Sequence, residues 1–389
     1  MNGSTTHQKS VPSNVFYFTV SPVYAILKDM KRFLLLFLGS IAVALHALTP
    51  ETEAQAKVAL NNGFTWLRAA QSPDGSWSDK RFPGMSALAL WAMANTALPE
   101  NSAAAQKAEA YLVACAQPDG GIYVPIPNRR GGGLGNYNTC LCLTALHAAG
   151  AKERHASVLL AARAYIASTQ IETNGLHEGG FGYDKSSPRE YTDLNNTLYA
   201  IDAMRLTQDV EEMRPSNQKK VDINWNAAKQ YVLSMQQTQG EDEGGFLYNR
   251  EVPRAKQDET RPQLKAYGSM TYAGLLAMLH CQLSRDDPRV RSVYQYIGKH
   301  WTLDENPGQG NQGLYFYYDI LARALTAAGI EQLTLVDGTL MDWKEALAKT
   351  LIRRQQTDGS WVNDNNRFWE ADPVLSTSYA LLALTLILD

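Results

Sequence analysis

The chain has 389 residues, a formal charge of −3, 45% hydrophobic residues and 19% charged residues. This is globular rather than disordered composition, and it lacks the basic field that marks a nucleic-acid binder. Four cysteines (Cys115, Cys140, Cys142 and Cys281) are too few for a disulfide scaffold. Neither they nor the histidines fall at metal-ligand spacing, so no metal and no cofactor is expected.

In chain order, the first feature reads as an address. Met30-Lys31-Arg32 precedes the apolar run Phe33 to Leu45, and the small residue Ala47 follows. A short basic region, an apolar stretch and a small residue are the marks of a secretory signal peptide, here starting at Met30. The run is shorter than the ~20 apolar residues that span a bilayer. The expected location is therefore secreted or periplasmic. Residues 1–47 are set apart as N-terminal extension and signal, and residues 48–389 are expected to form one domain.

From there, segments with helical spacing dominate and no strand alternation persists. The segments repeat. One kind of helix ends in a bulky pair followed by Gln: Trp66-Leu67 before Gln71, Tyr165-Ile166 before Gln170, Tyr231-Val232 before Gln236, and Leu351-Ile352 before Gln356. Tyr111-Leu112 before Gln117 and Tyr296-Ile297 before Trp301 are looser copies. A Gly turn and an aromatic come next, as DGSW at 74–77, DGGIY at 119–123, GGFGY at 179–183, GGFLY at 244–248, QGLYFYY at 312–318 and DGSW at 358–361. Asp and Gly suit such turns, Asp by bonding its own backbone and Gly by accepting positive φ.

A second, more apolar helix then starts in strict register. Ser86, Thr139, Thr197, Thr271, Tyr318 and Thr377 are each followed six residues later by Ala, at 92, 145, 203, 277, 324 and 383. Six helix pairs, each able to bury its face only against neighbours, make a repeat architecture. The C-terminal stretch Leu381 to Leu388 is too apolar to end an open stack, so a closed ring is expected. The fold class is all-α: an (α/α)6 toroid of six helical hairpins, with the apolar helices inside and the Gln-ended helices outside. The charged segment Arg250 to Arg261 reads as a solvated excursion.

QSPDGSW at 71–77 and QQTDGSW at 355–361 resemble the Q-x-x-D-G-x-W repeats of squalene–hopene and oxidosqualene cyclases. The Gly-Gly-aromatic turns resemble those of protein prenyltransferase β subunits. The resemblance covers nearly all of residues 52–389. It implies a single α/α barrel of the terpenoid cyclase and prenyltransferase superfamily, where squalene cyclases carry two. Those cyclases start with a D-x-D-D-T motif whose middle Asp protonates an alkene or epoxide. Placed on the register Thr, this chain reads Asp193-Leu194-Asn195-Asn196-Thr197. Asn195 takes the proton-donating position, and an amide supplies no strong acid. The same residues also suit a helix N-cap. Tyr137-Asn138-Thr139-Cys140-Leu141-Cys142-Leu143 resembles the prenyltransferase segment Y-H-T-C-Y-C-L, with Asn138 in place of the zinc-binding His. No D-x-C counterpart is found, so zinc-dependent transfer is not expected.

In such a toroid, the loops before the inner helices crowd one mouth. Asp193, Asp319 and Asp372 are the candidate acids, each also readable as a cap or a loop charge. Tyr137, Asn138, Asn195, Asn196, Tyr267, Tyr272, Tyr315, Tyr318 and Trp369 are the candidate cavity residues. Aromatic faces stabilise carbocations and fill cores equally well. The four consecutive rings from Tyr315 to Tyr318 cannot all face inward. The inner helices hold few charges, Asp202, Asp319 and Arg323 being exceptions, so a dry apolar cavity with a polar rim is expected. The leading reading is a toroid that binds an isoprenoid or other hydrophobic ligand in this cavity, with noncanonical terpene cyclisation as its catalytic form. The alternatives are a non-catalytic lipid-binding toroid and a carbohydrate-active (α/α)6 enzyme. Paired carboxylates across an open groove would favour sugars. The expected partner is a hydrophobic small molecule and no nucleic acid. Peripheral membrane contact and oligomeric state stay open.

Overall fold

The computed structural model describes residues 48–127, 133–185, 191–250 and 265–389. The signal segment and most of the charged excursion after Arg250 lie outside the described residues. Six outer helices alternate with six inner ones. The outer helices are α1 (Pro50–Ala69), α3 (Ser102–Ala114), α5 (Ala156–Ala167), α7 (Trp225–Ser234), α9 (Pro288–Lys299) and α11 (Trp343–Arg354). The inner helices are α2 (Pro83–Ala94), α4 (Gly135–Ala148), α6 (Leu194–Leu206), α8 (Gly268–His280), α10 (Leu314–Ala328) and α12 (Pro373–Leu388). A small antiparallel hairpin, β1 (Gln332–Thr334) with β2 (Leu340–Asp342), precedes α11. No helix of the described residues is long and apolar enough to cross a membrane.

The two kinds of helix differ because their surroundings differ. An outer helix needs one apolar stripe: α9 buries Val290, Val293, Tyr296 and Ile297 and leaves its charges in water. An inner helix is enclosed on nearly every side, and in α2 each residue from Pro83 to Met93 is buried. Each inner helix packs on the one before and the one after, and α12 packs on α2, so the inner ring closes. The six alanines of the repeat are all fully buried, and their small side chains let neighbouring helices approach.

The repeat motif welds the layers together. The hydroxyls of Ser86, Thr139, Thr197, Thr271 and Thr377 accept the backbone N–H of Trp77, Ile122, Phe181, Phe246 and Trp361, at 2.8–3.2 Å. Tyr318 reaches further and donates its hydroxyl to the Leu303 carbonyl at 2.5 Å. Each of these bonds satisfies a buried polar group in the turn. Gln71 donates to the carbonyls of Gly75 and Ala104, which joins the turn to the next outer helix. Gln355 does the same to Gly359 and to Ala59 of α1, which closes the outer layer. The sixth copy thus works through Gln355, not Gln356. In both DGSW units the bonding Gln stands three residues before the turn Asp, whatever its distance from the preceding bulky pair. Gly244 shows why the turn excludes larger residues: its φ is +88°, and an added Cβ would lie 2.0 Å from the Ser292 carbonyl oxygen of α9.

One consequence positions the site. The register side chains point outward to the turns. Successive helical residues are about 100° apart, so the side facing the axis lies two residues before, two after and five after the register position.

Candidate functional site

The axis carries two layers of side chains. The upper layer is aromatic: Tyr137 of α4, Tyr199 of α6, Phe316 of α10 and Tyr379 of α12. Tyr137 and Tyr199 meet edge to face at 5.3 Å between ring centres. Phe316 lies 6.5 Å from Tyr199 and 5.8 Å from Tyr379. The helices α6 and α12 are the third and sixth of the ring and stand opposite each other. The hydroxyls of Tyr199 and Tyr379 nevertheless approach to 3.5 Å, so they meet across the axis. Both are buried, whereas Tyr137, Phe316 and Asn195 on the mouth side are half-buried. Burial drives the Tyr199 and Tyr379 phenol pKa values well up, with nearby phenols and the Asp319 carboxyl adding to it.

The lower layer is charged. Arg323 of α10 pairs with Asp202 of α6 and stacks on Trp91 of α2, with its guanidinium 4.8 Å from the ring centre. These are alternate members of the ring, so Arg323 crosses the axis. His280, at the end of α8, places Nε2 2.9 Å from Asp202 Oδ1. Burial alone would raise the Asp202 pKa, but Arg323 and His280 outweigh it and hold the carboxyl below its ordinary value. Asp319 is fully buried one turn from Arg323, with Oδ2 3.8 Å from Nη1. Neither Asp319 oxygen has a hydrogen-bond partner, and neither does Arg323 Nη1. Burial pushes the Asp319 pKa up to about 7; Arg323 opposes the rise and Asp202 reinforces it.

The other candidate acids are committed to backbone. Asp193 is the N-cap of α6. Its Oδ1 accepts from the Asn196 N–H at 2.8 Å, and its Oδ2 accepts from Asn196 Nδ2 at 2.8 Å and the Tyr248 hydroxyl at 2.9 Å. Burial raises its pKa, against the pull of those donors. Asp372 caps α12 by accepting from the Val374 N–H and also bonds the Ser78 hydroxyl. Glu370 is buried and caps α10, accepting from the N–H groups of Tyr315 and Phe316.

Several expected cavity residues lie elsewhere. Tyr318 and Tyr315 pack on each other between the layers, and Tyr317 bonds the Thr302 carbonyl. Of the four consecutive rings, Phe316 is the one that meets the axis. Tyr272 packs on Tyr317 in the seam of α8 and α10. Asn138 is a strut: it accepts from the Gly84 N–H and donates to the Gly133 carbonyl. Asn196 serves the Asp193 cap. Tyr267 is buried at the N-terminus of α8, and Trp369 is 41% exposed on the rim against Phe82. Tyr137 and Asn195 do stand at the mouth. The expected apolar floor is corrected too, because the three charges treated as exceptions converge there. Tyr199, Tyr379, Phe316 and His280 are not singled out by the sequence, Phe316 entering only within the ring run Tyr315 to Tyr318. The first three stand two residues from a register position, which is the signal that identifies them.

No protein-family model matches the chain, and no curated protein matches it in sequence. Solved structures are similar to it. The apo form of type II terpene cyclase MstE from Scytonema covers 86% of this chain and 98% of its own, with 13% identity and a TM-score of 0.55. A variant of that cyclase in complex with geranylgeranyl dihydroxybenzoate, its substrate, gives 0.54 at 14% identity. Protein geranylgeranyltransferase-I of Candida albicans, complexed with GGPP, covers 84% and 90% at 10% identity, with a TM-score of 0.51. An inactive variant of an α-1,6-mannanase of Salegentibacter, in complex with α-1,6-mannotriose, covers 86% and 100% at 11% identity, with a TM-score of 0.53. The chain is thus an all-α protein of the α/α-toroid class, as the repeats led one to expect. At such identities the likeness speaks for the fold, and the ligand has to be argued from the axis.

Proposed function

We propose that this toroid binds an isoprenoid or similar long apolar ligand at the aromatic end of its axis. The observation that carries this reading is the convergence of Tyr137, Tyr199, Phe316 and Tyr379 from four inner helices on one point. Such a cluster offers apolar area and π-faces, with few polar groups to fix a ligand's orientation. Support also comes from two similar toroids, the cyclase and the prenyltransferase, which hold geranylgeranyl-bearing molecules. The sugar reading is less well supported. The interior carboxylates Asp202 and Asp319 share Arg323 instead of facing each other across a groove. Proton-initiated cyclisation of squalene is not expected, since Asn195 stands where the acid should be and Asp193 is spent on a cap.

Mass spectrometry of lipids extracted from the purified full chain tests the reading without presupposing a reaction. It should find an isoprenoid or comparable apolar molecule. Titration with geranylgeraniol, followed by tryptophan fluorescence, should saturate, and Tyr379→Ala should weaken binding roughly tenfold. Binding of α-1,6-mannotriose with no binding of geranylgeraniol would overturn the reading in favour of a carbohydrate site.

A further inference from the structure

Below the aromatic layer, the charged cluster is oddly incomplete. Asp319 is fully buried, and Arg323 keeps 9% of its surface. Asp202 takes the Arg323 Nη2 end, which leaves Nη1 with no acceptor. Asp319 Oδ2, 3.8 Å from Nη1, is beyond hydrogen-bond distance, and both Asp319 oxygens lack donors. Buried polar atoms are almost always paired, so three orphans side by side ask for a shared partner. That partner must both donate, to the carboxyl, and accept, from the guanidinium. A hydroxyl does both.

We propose that Asp319 and Arg323 form a subsite for one uncharged hydroxyl group on an otherwise apolar ligand, the hydroxyl accepting from Arg323 Nη1 and donating to Asp319. The inference rests on the reading that the axis takes an isoprenoid, and it reverses the orientation expected from sequence, in which the polar end stays at the rim. Charge selects the class of head group. Asp202 already balances the guanidinium, and Asp319 adds acidity on the far side. A diphosphate or carboxylate would bring more negative charge into a desolvated place with no cation left for it. Trp91, 7% exposed and stacked on the guanidinium, holds that group flat and fixes where Nη1 aims. The Tyr199 and Tyr379 hydroxyls, 3.5 Å apart, must part for a chain entering from the mouth.

The test compares three probes on the full chain by the same fluorescence titration: geranylgeraniol, squalene and geranylgeranyl diphosphate. The alcohol should bind at least tenfold more tightly than either the hydrocarbon or the diphosphate. Asp319→Leu should reduce that preference to threefold or less, and Asp319→Asn, which keeps an acceptor of the same shape, should retain part of it. Tyr379→Ala should weaken all three probes alike. A diphosphate that binds best, or an alcohol preference untouched by both Asp319 variants, would overturn the subsite while leaving isoprenoid binding standing. Failure of all three probes would overturn both.

Discussion

Asp193, at the N-cap of α6, and Asp319, within α10, are both fully buried aspartates, and burial raises the pKa of both. They differ in what they touch. Asp193 accepts hydrogen bonds from its own helix end, from Tyr248 and from Tyr191. Asp319 accepts none, and faces Arg323 across 3.8 Å. The first carboxyl therefore belongs to the architecture of the mouth, and the second is an unspent polar group on the axis. Position in a familiar motif led to Asp193, but the hydrogen-bond ledger leads to Asp319.

The largest effect should come from the cluster around Asp319. Asp202→Ala leaves the Arg323 guanidinium buried beside an acid that is only partly ionised. Removing one partner of a buried ion pair costs about 3–5 kcal/mol, and urea unfolding should read a loss in that range. A loss under about 1 kcal/mol would mean that Arg323 is solvated, and the axis would not be the dry place described here.

Asp319 itself should show through pH. Its folded pKa of about 7 lies above its ordinary 3.8. Between those values the folded state holds a proton that the unfolded state has lost, so its contribution to stability falls as pH rises. The contribution is fully present below about pH 4 and lost as pH passes 7. The facing groups are Asp202 and Tyr199 from α6, His280 from α8, Arg323 from α10 and Tyr379 from α12, and they are common to the wild type and to Asp319→Asn. Subtracting the two stability curves isolates Asp319. The difference should move in favour of the variant between pH 4 and 7, by up to about 4 kcal/mol in all. A flat difference would place the Asp319 carboxyl in water. At the mouth, Asp193→Ala should behave as cap removal that also takes an acceptor from Asn196 Nδ2 and from the Tyr248 hydroxyl, which keeps Tyr183. It should cost about 2–3 kcal/mol at neutral pH with no effect on ligand preference.

How far the sequence could be read follows from the same geometry. The repeat spelled out the ring, because Gly, Asp, Gln and the register hydroxyl each serve a bond that recurs in most units. Gln355 closing onto Ala59 is the same contact as Gln71 onto Ala104. The axis was harder to read. The register residues looked like the mouth, yet their hydroxyls are spent on the turns, and Tyr318 accordingly points away from the axis. The inward face is offset from them: Tyr137 and Phe316 stand two before the register, Tyr199 and Tyr379 two after, and Trp91, Asp202 and Arg323 five after. That offset was present in the sequence but could be applied only once the direction of one register side chain was known. The convergence of Asp202, Arg323 and Trp91 from alternate helices depends on closure of the ring, and local pattern carries no trace of it.

The smallest effect tests the mouth half of the comparison most finely. Tyr248→Phe removes one donor to Asp193 and leaves the two from Asn196 and that of Tyr191 in place. The loss should therefore be that of one hydrogen bond, about 1 kcal/mol by thermal or urea unfolding. The sign with pH also follows. Hydrogen bonds to the ionised form lower a carboxyl pKa, so removing one should let burial push the Asp193 pKa higher. A higher folded pKa makes the folded state hold its proton to higher pH, so the cost of the substitution should grow from acid to neutral pH. A cost that is the same at pH 4 and pH 8 would mean that the Tyr248 hydroxyl serves Tyr183, 2.8 Å away, and not the Asp193 carboxylate. Asp193 would then rest on its helix cap and on Tyr191, and the contrast with Asp319, which accepts no hydrogen bond, would narrow.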